Sequence, residues 1–367
     1  MSPDPLLMIP GPTPVASTVL GALAQPVRSH TSPENAASIR RIRAVLRDLV
    51  GSGSAAVHVF GGAGTLAMEA ALVNHAAAGD RVVVVSHGFF GDRFVEIAGA
   101  LGMRGEAVSA EWGRAVDAAQ LRDTIARGDA PAVVTLTHVD TSTGVLADCA
   151  GLARAAREAA PDAVVVVDGV CATGGVEQSM GAWDADVVLT GAQKALGVPP
   201  GLTILAVSER ARRRRAALGA IAAYYADLRR WERSMDDPTV YFSTHATSLV
   251  RALETSLEEI VAEGLPARFD RHRRCAAALR EGMGELGFVP LTGADLLAPT
   301  LSVLAVPDGV DPAQLRAAMA ARGVVVAGCL GPWAPRGIRI GHMGTVGEAE
   351  IQRTVSAAAA ALGSPSA

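Results

Sequence analysis

Val164-Val165-Val166-Val167-Asp168 and, further on, Asp186-Val187-Val188-Leu189-Thr190-Gly191-Ala192-Gln193-Lys194 decide how this chain folds. Each is a run of β-branched or aliphatic residues without polar alternation, as expected of strands covered on both faces. Each ends on a residue able to do chemistry: a carboxylate in one, an amine in the other. Working outward, similar runs lie at 56–60, 81–85 and 132–136. Between the strands lie alanine-rich stretches with helical spacing at 66–78, 94–101, 118–126 and 149–159. Strand and helix alternating in this way imply a mostly parallel α/β sheet.

After about residue 202 the pattern changes. A long helix is expected over 246–262, ended by Gly264 and Pro266. The remainder reads as helix 267–285, strand 301–306, helix 312–320, strands 324–327 and 337–340, and helix 348–361, a smaller α+β domain. The segment Ile9-Pro10-Gly11-Pro12-Thr13-Pro14 is too rich in proline for a helix or an inner strand. The expected division is therefore an extended arm over 1–19, a large α/β domain over 20–264 and a small C-terminal domain over 265–367.

Composition narrows the function classes. Half of the 367 residues are hydrophobic, 19% are charged and the formal net charge is −4, which fits an ordered globular protein with no polyanion partner. No nucleic-acid partner is expected. The run Arg212 to Arg215 reads as a solvated helix face. Cys149, Cys171, Cys275 and Cys329 are far apart, without metal-ligand or disulfide spacing. A reducing, cytoplasmic setting and no metal are expected. Met1-Ser2-Pro3-Asp4-Pro5 lacks the basic-then-apolar pattern of a signal peptide, and no apolar run reaches about 18 residues, so no membrane span is expected.

Four features sit at the carboxyl ends of expected strands, the edge where open α/β sheets bind ligands. Phe60-Gly61-Gly62-Ala63-Gly64-Thr65 links a strand to a helix. It reads either as a tight turn or as a phosphate cradle at a helix start. Gly62 to Ala67 also matches G-x-G-x-x-A. A dinucleotide site, however, wants an acidic residue at the end of the next strand, about 20 positions on, where this chain has Ser86-His87. His87-Gly88-Phe89-Phe90-Gly91-Asp92 offers an aromatic ring that could pack in a core or stack on a planar ligand. Asp168 either caps the next loop or pairs with a buried cation, such as a protonated ring nitrogen. Lys194 is the only lysine among 33 basic residues. A guanidinium stays protonated and cannot form a Schiff base, so a lysine kept only after a buried strand points to amine chemistry.

These pieces together resemble the class V, fold-type I aminotransferases that depend on pyridoxal 5′-phosphate, most nearly the alanine–glyoxylate and serine–pyruvate branch. The resemblance runs from Pro10-Gly11-Pro12-Thr13-Pro14 through Gly64-Thr65-Leu66-Ala67, His138-Val139-Asp140-Thr141-Ser142-Thr143-Gly144, Val167-Asp168-Gly169 and Gly191-Ala192-Gln193-Lys194 to Arg339-Ile340-Gly341. It implies a ping-pong transfer of an amino group from alanine or serine to glyoxylate or pyruvate. It implies that Lys194 links the cofactor as a Schiff base and moves a proton, with Asp168 against the pyridine nitrogen. Ala63, Gly64, Thr65 and Gln193 would hold the phosphate and Phe90 would stack on the ring. Ser142 would sit beside the ring hydroxyl and the substrate, Arg339 would clamp the substrate carboxylate, and Gly11 would lend backbone contacts. Tyr241 and Thr244 would reach the neighbouring subunit's phosphate, which implies a homodimer. Two alternatives are another reaction on the same fold (a lyase, a cysteine-desulfurase-like enzyme or a secondary-metabolite biosynthetic enzyme), suggested by Cys329 and by Gly169-Val170-Cys171 after Asp168, and a nicotinamide-dependent oxidoreductase using the glycine turn.

Overall fold

The computed structural model describes residues 5–363; the first four residues of the expected arm and the last four of the chain lie outside the described residues. A seven-stranded sheet runs, in spatial order, Ala56–Gly62, Gly201–Val207, Val187–Gly191, Val164–Asp168, Val133–Thr137, Arg81–Ser86 and Arg104–Ser109. All neighbours are parallel except Gly201–Val207, which is antiparallel to both strands beside it. Val82 to Val85, Val133, Val134 and Val164 to Val167 are fully buried. Each contributes roughly 1.5–3 kcal/mol relative to exposure, so the valine runs hold the sheet together.

Two strands of the sheet are not among the expected ones. Arg104–Ser109 was not visible in the sequence because it is an edge strand of polar, mostly exposed residues. Gly201–Val207 is apolar, yet it follows Pro199-Pro200-Gly201, where the expected strand–helix alternation stops. Its reversed direction is what that break in pattern encodes.

A second core lies around an antiparallel sheet ordered Ala327–Gly328, Gly337–Gly341, Leu301–Ala305 and Val289–Pro290. It includes Leu279, Met319, Ile338, Ile340 and Ala358 from the C-terminal third of the chain. The expected strand 324–327 is divided: Val324–Val325 pairs instead with Leu6–Leu7 of the arm, in parallel. Met8 is fully buried in this core, so the arm begins on the C-terminal side of the molecule. It then crosses to the large sheet, where Thr13 N donates to Gln193 O at 3.1 Å. The helix Ser17–Leu23 starts within the span expected to be extended.

Thr247–Glu263 is the long helix expected near 246–262, and Gly264 ends it at φ 81°, a left-handed conformation natural to glycine. Pro266 then stands in the first turn of Leu265–Glu285, where its missing N–H costs nothing. The basic run Arg212 to Arg215 departs from expectation. Arg212 and Arg213 meet Glu209 on the surface, but Arg215 is buried and donates to Asp227 at 2.9 Å and to Asn74 Oδ1 at 3.1 Å. All four cysteines are free and buried. Among the described residues no helix is long and apolar enough to cross a membrane, and no group of three or more His, Cys, Asp or Glu residues is arranged to hold a metal ion.

Candidate active site

The chain leaves Arg81–Ser86 for the sheet edge and returns to Val133–Thr137 on the other side. Connections therefore diverge between these two strands, and this divergence opens a crevice at their carboxyl ends. A cavity of about 170 Å³ lies at this carboxyl edge, and its lining includes Ala63, Gly64, Thr65, Phe90, Asp168, Gln193 and Lys194. Seven of the residues expected at the site are thus brought together. Met68, Arg93, Val139, Thr141 and Val170 complete the wall and were not anticipated.

Asp168 is the last residue of its strand, in register with Thr137 and Leu189. It is 4% exposed. Val170 N donates to Oδ1 at 2.8 Å, and no cation among the described residues forms an ion pair with the carboxylate. Burial pushes its pKa up to about 7; the Val170 N–H opposes this, Asp140 adds to it, and the charges of Lys194 and Arg93 pull it back.

Lys194 follows the adjacent strand, Val187–Gly191. Its Nζ donates to Pro10 O at 2.6 Å. The arm presses closely here: a Cβ on Gly11 would stand 2.5 Å from the lysine Cδ and 2.6 Å from Nζ. Gly11 has φ +136°, where any side chain is strained, and a Cβ there would push the lysine amine aside. Thr13 Oγ1 fixes the turn by donating to Lys194 O at 2.8 Å.

The helix Gly64–Val73 starts at the cavity, and its N-cap Ala63 supplies no side-chain cap. The first N–H groups and the positive dipole end therefore face an open site. Gln193 Oε1 is buried there without a hydrogen-bond partner. The glycine-bearing strand, Ala56–Gly62, has only an antiparallel neighbour. A dinucleotide fold needs a parallel βαβ unit at that point, so the nicotinamide alternative loses its scaffold.

Phe90 lies in the first turn of a helix, Phe89–Ala100, that begins five residues earlier than its apolar spacing suggests. Distant groups cap it. Phe89 N donates to Ser142 Oγ at 3.0 Å, and Phe90 N and Gly91 N donate to Asp140 Oδ2 at 3.2 and 3.1 Å. Ser142 Oγ in turn donates to Asp140 Oδ1 at 2.6 Å. Ser142 is thus fully buried in a capping network and is absent from the cavity wall. Its neighbour Thr141 lines the wall and contacts Cys171 Sγ through Oγ1 at 2.6 Å. Of the two adjacent hydroxyls, Thr141 faces the cavity and Ser142 lies behind it.

Arg339 lies on the central strand of the small sheet, and its Nε donates to Gly328 O at 2.7 Å. Its Nη1 reaches Thr141 O at 3.2 Å, which sets the guanidinium against the cavity wall. Burial lowers its pKa. Tyr241 and Thr244 do not line the cavity of their own chain; both are exposed, and Tyr241 meets His30 edge-on at 5.3 Å between ring centroids. Cys329 is packed with Val139 and Trp333, and burial raises its thiol to about 11, so it lacks the accessible thiolate a desulfurase requires.

The profile described as Aminotransferase class-V matches residues 18–333. The chain belongs to the class-V aminotransferases. It is 35% identical over 99% of its length to the soluble hydrogenase small subunit of Synechococcus sp. (strain PCC 6716), covering 94% of that protein. It is 33% identical over 92% of its length to alanine–glyoxylate aminotransferase 1 of Saccharomyces cerevisiae, covering 91% of it. The crystal structure of an alanine–glyoxylate aminotransferase from Nostoc sp. superimposes with a TM-score of 0.95 at 29% identity, covering 99% of this chain and 96% of that one. The fold is accordingly that of the fold-type I enzymes, and the class-V aminotransferase is an enzyme that transfers amino groups.

Proposed function

We propose that this aminotransferase binds pyridoxal 5′-phosphate in the cavity below Phe90 and moves an amino group from a small amino acid, alanine or serine, to glyoxylate or pyruvate. The observation that carries the reading is Asp168: a buried carboxylate without a bonded cation, beside the only lysine of the chain. The cofactor, when bound, supplies an electron sink for the electrons of a cleaved Cα bond. The residues fit it in three places. The uncapped helix start at Ala63, Gly64 and Thr65 suits a phosphate, and Gln193, on the same wall, can offer its amide N–H to it. Asp168 suits a protonated ring nitrogen, whose charge would offset the cost of burying its own. Phe90 suits the face of a planar ring.

Lys194 carries the covalent link and then holds the proton moving at the substrate Cα. The Pro10 carbonyl and the bare Gly11 backbone steer its Nζ. Arg339 orients the substrate carboxylate through a bidentate contact, held by Gly328 O and Thr141 O. Thr141 is the hydroxyl on the cavity wall, with Ser142 directly behind it. Tyr241 and Thr244, exposed on their own chain, complete the phosphate site of a partner subunit in a homodimer. Residues 265–367 act as a small domain on the large one, and the enzyme works in the cytoplasm.

The test is an absorbance spectrum of the purified protein before and after alanine is added. A near-visible band that alanine converts to a shorter-wavelength form supports both cofactor and donor. A band that alanine leaves unchanged removes alanine as donor, and no band after incubation with the cofactor removes the reading. Lys194→Ala is expected to lower the transamination rate by at least about a thousandfold, within the range a positioned proton-transfer group contributes; a rate like the wild type's would sink the assignment.

A further inference from the structure

We propose that Arg93 is the cationic side chain of the phosphate site, held in place by the paired rings of Phe89 and Phe90; this rests on the reading that the cavity takes pyridoxal 5′-phosphate. Arg93 lines the cavity but belongs to none of the features that the sequence singled out. It stands four and three residues after Phe89 and Phe90 on one helix, so the three side chains share a face. Its guanidinium carbon lies 5.0 Å from both ring centroids. Those rings meet each other edge-on at 5.5 Å. Cation–π contact with two faces fixes a side chain that would otherwise sample many rotamers.

The guanidinium points at the phosphate end. Nη1 donates to Thr65 Oγ1 at 3.4 Å, in the first turn of the uncapped helix. No carboxylate forms an ion pair with Arg93 among the described residues; its neighbour Asp92 is instead engaged by Ser86 Oγ at 2.6 Å. Arg215 and Arg268, by contrast, are matched by acids, Asp227 and Glu263. A charge that lines a cavity and lacks such a match is suited to an anion that enters it.

Charge balance favours the phosphate over a second substrate acid. A helix start offers only about half a positive charge, whereas a phosphate monoester carries nearly two negative ones at neutral pH. Lys194 is committed to the covalent link. Arg339 is held by Gly328 and Thr141 carbonyls on a different element. Arg93 is the remaining cation of the cavity wall. The arrangement also accounts for Phe89, a large ring left 40% exposed, as one half of the clamp.

The experiment titrates cofactor-stripped wild type, Arg93→Gln and Arg93→Lys with pyridoxal 5′-phosphate and, separately, with pyridoxal, following absorbance. Arg93→Gln is expected to weaken the phosphorylated compound by on the order of ten- to a hundredfold, the worth of a hydrogen bond to a charged group. Pyridoxal affinity should stay within about twofold, and Arg93→Lys should fall between the two. Inorganic phosphate should compete less well in Arg93→Gln than in wild type. Equal affinity of wild type and Arg93→Gln for pyridoxal 5′-phosphate would overturn the proposal. So would equal weakening of both compounds, which would make Arg93 a packing residue. Should wild type bind neither compound, the cofactor reading fails first and this proposal with it.

Discussion

Asp168 and Asp186 flank neighbouring strands, are both buried, and have opposite surroundings. Asp186 accepts from Arg157 Nη2 at 2.6 Å, Arg210 Nε at 2.8 Å, Ser208 Oγ at 2.8 Å and Val165 N at 3.0 Å. Its charge is matched within the fold. Asp168 has one N–H, from Val170, and no bonded cation. Asp186 precedes its strand, at the amino edge of the sheet; Asp168 ends its strand, at the carboxyl edge. The same residue type is therefore matched by cations at one edge and left without one at the other. A buried carboxylate left unmatched at the ligand-binding edge is a sign of function; one surrounded by donors is a sign of stability.

Replacing Asp186 should show the larger effect on stability. Asp186→Asn removes the buried carboxylate that Arg157 and Arg210 share and leaves both with the exposed Asp184; it is expected to cost about 1.5–3 kcal/mol, read from denaturant unfolding, while the folded fraction still binds cofactor. The contrast between the two aspartates breaks if Asp186→Asn is as stable as wild type.

The pH dependence of the cofactor-free protein sharpens it next. Asp168 has a folded pKa near 7, raised by burial from an ordinary value of 3.8. Between about pH 4 and 7 the native state therefore holds a proton that the unfolded chain has released. Buried neutral histidines such as His58, His75 and His138, whose pKa values burial lowers, raise stability with pH in this range; against them Asp168 adds a slope of opposite sign, its contribution being largest below the window and lost as pH rises through it, by on the order of a few kcal/mol. Asp168→Asn should remove this slope, and so should saturating cofactor if a ring cation pairs with the carboxylate. Melting curves at pH 5 and pH 8 decide: a wild-type slope no different from that of Asp168→Asn would contradict the unmatched carboxylate.

Asp168→Asn should leave the melting temperature unchanged or raised, yet slow transamination by on the order of a hundredfold, the loss of one strong charge-assisted contact. A variant destabilised as much as Asp186→Asn would erase the distinction. Smallest is Ser142→Ala. As a cap for Phe89 N it should cost about 1 kcal/mol and change KM little; a large loss of activity at normal stability would return Ser142 to the wall.

Much of this was legible beforehand, for identifiable reasons. Buried parallel strands must be apolar on both faces, so Val164 to Val167 and Val187 to Leu189 announced themselves, and the residues closing them fell at the ligand-binding edge by topology. The glycine turn and Lys194 were readable because few residue types permit those roles. What stayed hidden depends on contacts far apart in the chain. The start of Phe89–Ala100 is set by Asp140 and Ser142, some fifty residues away. Whether Thr141 or Ser142 faces inward is a property of the loop, and Arg93 is one of many arginines until its lack of an acid partner is seen. The burial of Arg215 likewise needed Asp227 and Asn74 brought to it.

The most direct test of the central claim exploits the solitary lysine. The protein saturated with pyridoxal 5′-phosphate is reduced with borohydride, and its intact mass and peptides are measured. The account predicts one cofactor added per chain, on the peptide that contains Lys194, and none in Lys194→Ala. No added mass, or an adduct confined to the terminal amine, would contradict it.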